Sequence, residues 1–352
     1  MEEFDESIDI TIDQKKLRNV SFSAGGIKGI AFIGCVKALQ EKDLLSDIQS
    51  FAGSSVGSLI STLIVCGADY NYLKDASLGA CKFFSNFKID IFSLFKLNLL
   101  QSEYGIYKNE ELRNYLRSCI QDVLKIDYDL TFKDLYAINP VDLIITASCL
   151  ETQTPFYFSH HTTGDTPVSE ALTISCSVPL LFSRSIFQNK TLVDGCIVEK
   201  LPMQCWPQEE IENTMAFLIQ SNGTTNTQNF SNYLNAIEST ISSTINSNYL
   251  SKYKNSITMI NPGNIVACGV MPNTYDMNKV IFASYFQTLS ELERRGFIDE
   301  DVVPKSQEVS QIIFNDEISE QLEKKSIIVN VIISFAIILI FCVVSKYLYN
   351  NV

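Results

Sequence analysis

Histidine is nearly absent from this chain. Its 352 residues contain two, His160 and His161, adjacent in the polar stretch SHHTTGD. Any chemistry that needs an imidazole must use that pair, so elsewhere proton transfer falls to carboxylates. Cationic charge is also short: 27 Lys and Arg against 40 Asp and Glu leave a net charge of −13. That balance argues against a nucleic-acid partner and against adsorption to anionic lipid by charge alone. The ten cysteines (Cys35, Cys66, Cys81, Cys119, Cys149, Cys176, Cys196, Cys205, Cys268 and Cys342) form no CxxC pair, and most sit in apolar runs. Free thiols in such runs behave as small hydrophobes. No His/Cys cluster has ligand spacing, so no metal is expected. The opening segment, MEEFDESIDITIDQ, has neither a basic nor an apolar region. The expectation is therefore no secretory signal and a cytosolic main domain with reduced thiols. There is no internal repeat.

What is present is apolar. Hydrophobic residues make up 46% and charged residues 19%. A large core is expected, and the length suits one α/β domain of roughly 300 residues plus an anchor. Ser326–Ser345 (SIIVNVIISFAIILIFCVVS) is free of charge, with Lys324–Lys325 before it and Lys346 after it. At about 1.5 Å per residue, a helix of this length spans a hydrocarbon core roughly 30 Å thick. A buried core helix is the alternative. The expected organisation is an extension over 1–17, a catalytic domain over 18–297, a charged stalk over 298–325, a transmembrane helix over 326–345 and a tail over 346–352. The expected topology is tail-anchored, with the bulk on the cytosolic side.

Within the domain, strands and helices alternate. Val20–Ala24, Ile48–Ala52 and Val141–Cys149 read as buried strands; Ile30–Gln40, Val56–Cys66 and Asn109–Leu124 read as helices, the last capped by Asn109. That rhythm predicts a mostly parallel sheet covered by helices. Residues 221–229 read as a loop, and the sequons at Asn222 and Asn229 are expected to stay unmodified in a cytosolic domain. An amphipathic helix follows, with Phe230, Leu234, Ile237, Ile241 and Ile245 on one face. Lys82–Leu100 interleaves five phenylalanines with three lysines. It is either core or a lid that dips into a lipid interface.

Three motifs carry chemistry. Gly53-Ser54-Ser55-Val56-Gly57 is a GxSxG elbow between a strand and a helix. Glycines two residues either side relieve crowding, and the helix N-terminus behind Ser55 favours developing negative charge. Gly25-Gly26-Ile27-Lys28-Gly29, also between strand and helix, points successive N–H groups into a concavity that suits an anion. It is neither GxxxxGK[ST] nor GxGxxG, so an oxyanion hole is the better use than a nucleotide phosphate loop. Asp194 ends an apolar strand before Gly195, as a turn residue or as a base. No histidine follows Asp194, which disfavours an α/β-hydrolase triad.

These motifs, in this order and spacing, resemble the patatin-like phospholipase family. Val20–Ala68 follows the family's opening strand, loop, helix, strand, elbow and helix, and Ile174–Phe182 (ISCSVPLLF) resembles its Ser-x-x-x-Pro segment. The resemblance covers residues 18 to about 210 clearly and extends to about 297 weakly. It implies a three-layer α/β fold in which Ser55 is the nucleophile and Asp194 its base. It also implies an oxyanion hole of Gly25, Gly26 and Ile27, with Lys28 and Gly29 supporting that loop. Ala24 stands where the family often has another glycine, and Cys196 where glycine or alanine is common. The implied reaction is cofactor-free, two-step acyl transfer from a membrane lipid, and burial should raise the Asp194 pKa. A non-catalytic relative that binds lipid or scaffolds at a membrane is the alternative.

Overall fold

A computed structural model of the chain describes residues 16–84, 100, 102–220, 230–263 and 274–299. The Ser326–Ser345 run, the tail, most of the stalk and most of Lys82–Leu100 lie outside them. Among the described residues, no helix is long and apolar enough to cross a membrane.

The first half of the chain alternates as expected. β1 (Asn19–Phe22) leads through a 3₁₀ helix (Gly26–Ile30) to α1 (Ala31–Glu41); β2 (Ser50–Ser54) leads to α2 (Val56–Val65) and α3 (Tyr70–Phe84). Then come β3 (Gly105–Tyr107), α4 (Asn109–Leu124), α5 (Phe132–Ile138), β4 (Asp142–Cys149), β5 (Thr154–Phe158), α6 (His160–Thr163) and α7 (Val168–Ser175). The second half has β6 (Leu180–Phe182), β7 (Ser185–Phe187), β8 (Lys190–Asp194), β9 (Thr214–Ile219), α8 (Phe230–Tyr253), β10 (Ile257–Ile260) and α9 (Thr274–Arg294).

The main sheet runs β10-β9-β1-β2-β4-β8-β7, with β5 also on β4. From β10 to β4 every pairing is parallel, while β5, β8 and β7 join antiparallel. A parallel sheet is buried on both faces, and all six residues of β9 (TMAFLI) are buried. Their alternation separates two cores. Met215, Phe217 and Ile219 join Phe22, Phe32 and α1, α2, α4 and α9 in the larger one. Ala216 and Leu218 join Leu201, Met203, Trp206 and Tyr253 in the smaller one, under α8. Helices over both faces make three layers. Each buried side chain of Phe or Leu size contributes about 1.5–3 kcal/mol.

One feature of β4 positions the site. β5 lies along one of its edges, and the other edge is divided between two strands. β2 covers it as far as Thr146, opposite Ser54; β8 covers it from Ala147, opposite Asp194. Two strand ends therefore meet on successive rungs of one neighbour.

Two local expectations are corrected. Asn109 is the first residue of α4, not its cap. Lys108 holds that position without a side-chain bond, and Asn109 Nδ2 donates instead to Ser183 O at 2.9 Å and to Ser185 Oγ at 3.0 Å. The glutamates of its first turn, Glu110 and Glu111, are where they were expected. In α8, Ile241 is 57% exposed while Ser239 and Asn246 are buried. The polar face turns inward because the Lys200 ammonium donates to Ser242 Oγ and Asn246 Oδ1 beneath it. The side chains of Phe230, Leu234 and Ile237 lie outside the described part. At the start of the phenylalanine-rich segment, Phe83 stacks on Tyr115 with ring centroids 4.0 Å apart, which is core packing.

Candidate active site

Ser55 occupies the turn between β2 and α2 with φ 53° and ψ −124°, a backbone region that residues with side chains rarely adopt. Contact on both sides holds the turn there. A Cβ on Gly57 would stand 2.2 Å from Phe22 O, and one on Gly53 would stand 2.3 Å from the Gly57 and Ser58 backbone. Hydrogen bonds complete the clamp. The Ser55 N–H donates to Ser175 Oγ at 3.0 Å, and that hydroxyl donates to Thr146 O at 2.7 Å. Ser58 Oγ, 2.8 Å from Ser175 Oγ, donates back to Ser55 O.

Asp194 reaches Ser55 through the divided edge of β4. Its N–H donates to Ser177 O at 3.0 Å, which ties the strand end to the segment after α7. Its side chain is fully buried, yet both oxygens are engaged. Oδ2 accepts from the Ser55 hydroxyl at 2.8 Å, and Oδ1 accepts from the Cys196 N–H at 2.8 Å. Desolvation pushes this carboxyl up to about 6, against the opposing pull of those donors. Gly195 is required here by close approach, since a Cβ would lie 2.4 Å from Thr146 O and 2.6 Å from Ser54 Oγ. Next to the pair lies Cys176. Burial first, and the Asp194 charge second, raises its thiol well above the ordinary range, so it stays neutral at pH 7.

The glycine loop stands beside the elbow. Gly29 packs on Val56, where a Cβ would come within 2.6 Å of Cγ2. Gly25 precedes the 3₁₀ helix and Gly26 begins it at φ 55°. The leading N–H groups of such a helix, here Gly26 and Ile27, have no acceptor inside it. Ala24 donates its N–H to Lys200 O at 2.8 Å, and Lys28 donates its own to Gly25 O at 3.2 Å. The Lys28 side chain is half-buried, and among the described residues it has no ion-pair partner.

Some features of the site escape sequence reasoning. Ser175 falls in the Ser-x-x-x-Pro segment, but its bond to the Ser55 amide joins residues 120 apart. Glu199 is buried too. It accepts from Tyr157 OH and from the N–H groups of Met203 and Gln204, latching the chain that follows Asp194. Both histidines lie against Asp142, at the opposite end of β4 from Ala147. Spacing along the chain hid this cluster because its third member comes from a strand start. A groove of about 340 Å³ is lined by Arg113, Glu170 and Ile174 but by neither Ser55 nor Asp194.

A carboxylate bonded to a serine hydroxyl, beside a loop whose leading amides have no acceptor inside their helix, is equipped to form and break an acyl ester. Residues 20–204, just over half the chain, match the Patatin family of patatin-like phospholipases. An uncharacterized protein of Acanthamoeba polyphaga mimivirus is 25% identical over 190 residues, 52% of this chain and 59% of that protein. A protein of Invertebrate iridescent virus 6, named as a probable lipid hydrolase, is 23% identical over 208 residues, 58% of this chain and 68% of its own. ExoU from the type III secretion system of Pseudomonas aeruginosa, solved in complex with SpcU, superposes with a TM-score of 0.51 at 17% identity. That superposition covers 82% of this chain and 54% of the ExoU chain, and it is a likeness of fold. The chain thus spans about three fifths of the mimivirus protein and about half of ExoU.

Proposed function

This chain belongs to the patatin-like phospholipase family, and from that premise we propose that it hydrolyses carboxylic esters of membrane lipids through an acyl-enzyme on Ser55. The observation that carries the reading is the 2.8 Å bond from the Ser55 hydroxyl to a buried carboxylate whose pKa is pushed up to about 6. As Ser55 Oγ attacks the ester carbonyl, Asp194 takes its proton. The carbonyl oxygen becomes an oxyanion beside the amides of Gly25, Gly26 and Ile27. Asp194 then returns the proton to the departing alcohol, leaving the acyl group on Ser55. In the second step Asp194 deprotonates a water that attacks this ester, the fatty acid leaves, and the proton returns to Ser55. Each oxyanion donor in such a site is worth on the order of 10²–10³ in rate.

A carboxylate with a pKa near 6 is mostly ionised at pH 7 yet more basic than an ordinary aspartate, which suits a general base. The strained backbone at Ser55 and the crowded glycines hold the hydroxyl in one place, so little reorganisation is left to the reaction. The membrane enters through the 20 uncharged residues of Ser326–Ser345, which serve as a C-terminal anchor with the domain on the cytosolic side.

A fluorophosphonate probe and a defined lipid panel test the reading together. The wild type is expected to take up one probe per chain and to release fatty acid from phospholipid vesicles. Ser55→Ala should lose both. A wild type that binds vesicles but neither labels nor releases fatty acid would leave only a lipid-binding protein.

A further inference from the structure

We propose that Asp142, His160 and His161 form a site for one divalent transition-metal ion, with zinc as the best fit. The topology builds it. β5 runs back antiparallel along β4, with Ile145 opposite Phe158, so the residues just after β5 arrive beside Asp142 at the start of β4. His160 Nδ1 lies 3.0 Å and His161 Nε2 lies 3.5 Å from the same Asp142 Oδ1. One ligand atom from each of the three residues lies within 4.8 Å of the others.

The contact between His160 and Asp142 is not an ordinary hydrogen bond. Nδ1 and Oδ1 are both enclosed, and each lacks a hydrogen-bond partner despite their 3.0 Å separation. Buried polar atoms without partners are rare, and a cation between them would satisfy both. Zinc takes nitrogen and carboxylate oxygen at about 2.0–2.2 Å, so two ligands at a tetrahedral angle stand roughly 3.4 Å apart. The observed 3.0 and 3.5 Å bracket that value.

The chemistry of the set selects the ion. Two imidazoles and one carboxylate suit zinc or cobalt, whereas calcium and magnesium take oxygen ligands. The His160 ring is held by stacking on Tyr136, with centroids 3.8 Å apart. The His161 side chain is 68% exposed, which leaves a coordination position open to water. Ala147 lies five steps along the strand from Asp142, about 16.5 Å at a rise of roughly 3.3 Å per residue. The ion would therefore clamp the open end of the β4–β5 pair, away from the ester, and steady the strand on which Ser55 and Asp194 meet.

The test is titration of chelator-treated, detergent-solubilised full chain with zinc, by calorimetry and thermal unfolding, alongside cobalt absorption spectra. One ion per chain and a rise in Tm are expected. His161→Ala removes a mostly exposed ring and should weaken zinc binding at least roughly tenfold. Asp142→Asn should do the same, and Ser55→Ala should bind like the wild type. The cobalt spectrum should lack the near-ultraviolet thiolate band. Undiminished binding in His161→Ala and Asp142→Asn, a thiolate band from the cysteines, or no binding at roughly 100 µM zinc (a Kd in the millimolar range) would overturn the site.

Discussion

At Asp194 a single carboxyl links activity to stability. On the proposed mechanism activity needs its ionised form, so kcat/KM should rise with pH through an apparent pKa near 6 and level off above it. A profile flat from pH 4 to 8 would remove Asp194 from the mechanism. Stability runs the other way. The folded carboxyl holds its proton to about 6 against an ordinary 3.8, so the folded state is favoured at low pH and loses that advantage as pH rises from about 4 through 6. A difference of about 2 pH units, at 1.36 kcal/mol each, amounts to ~3 kcal/mol. Asp194→Asn should therefore abolish turnover yet unfold at higher urea than the wild type at pH 8, by up to ~3 kcal/mol, with the gain gone at pH 4. The glycine-flanked elbow and the Asp-Gly strand end were each legible in the sequence as local patterns, and the fold brings Ser55 Oγ and Asp194 Oδ2 to 2.8 Å. Ser175 was not legible in that way, since its partners at Ser55 and Thr146 come from elsewhere in the chain.

Between elements, the elbow depends on close approach and on the hydroxyl of Ser175. Ser175→Ala removes the acceptor for the Ser55 amide and the donor to Thr146 O. An unpaired buried amide costs ~1–3 kcal/mol. The variant should lose that much stability in urea titrations, and kcat should fall more than KM changes, because the nucleophile rather than the lipid is displaced. Gly57→Ala drives a methyl into Phe22 O and should cost at least ~2 kcal/mol. Gly79→Ala, in α3 with nothing within 4 Å of the added carbon, should instead raise stability by up to ~1 kcal/mol. Thermal unfolding of the two variants side by side checks the contrast. Of the parallel strands in the main sheet, β1, β2 and β4 were read as apolar runs and β9 and β10 were not, whereas β3, β6 and β7, at three residues each, are too short to show a period. The inward polar face of α8 was hidden because Lys200, which it answers, belongs to a distant loop.

On the scale of the molecule, the proposed anchor at Ser326–Ser345 and the net charge of −13 imply a hold on the membrane that is apolar. Vesicle association of the full chain should therefore survive high salt, which screens surface charge. A chain ending at residue 297 should lose that association and still cleave a soluble ester. Flotation on a density gradient in low and high salt, with an ester assay of each fraction, measures both. Release of the full chain by salt would point to adsorption instead of insertion.

The divided edge of β4 also bears on the order of synthesis. Ser55 and Asp194 are 139 residues apart. At about 5–20 residues per second, the ribosome delivers the second roughly 7–28 s after the first. Throughout that interval the nucleophile has no base and β4 has half an edge bare. On the proposed mechanism the growing chain therefore stays inactive, with no propeptide needed, until the last strand of the pair docks.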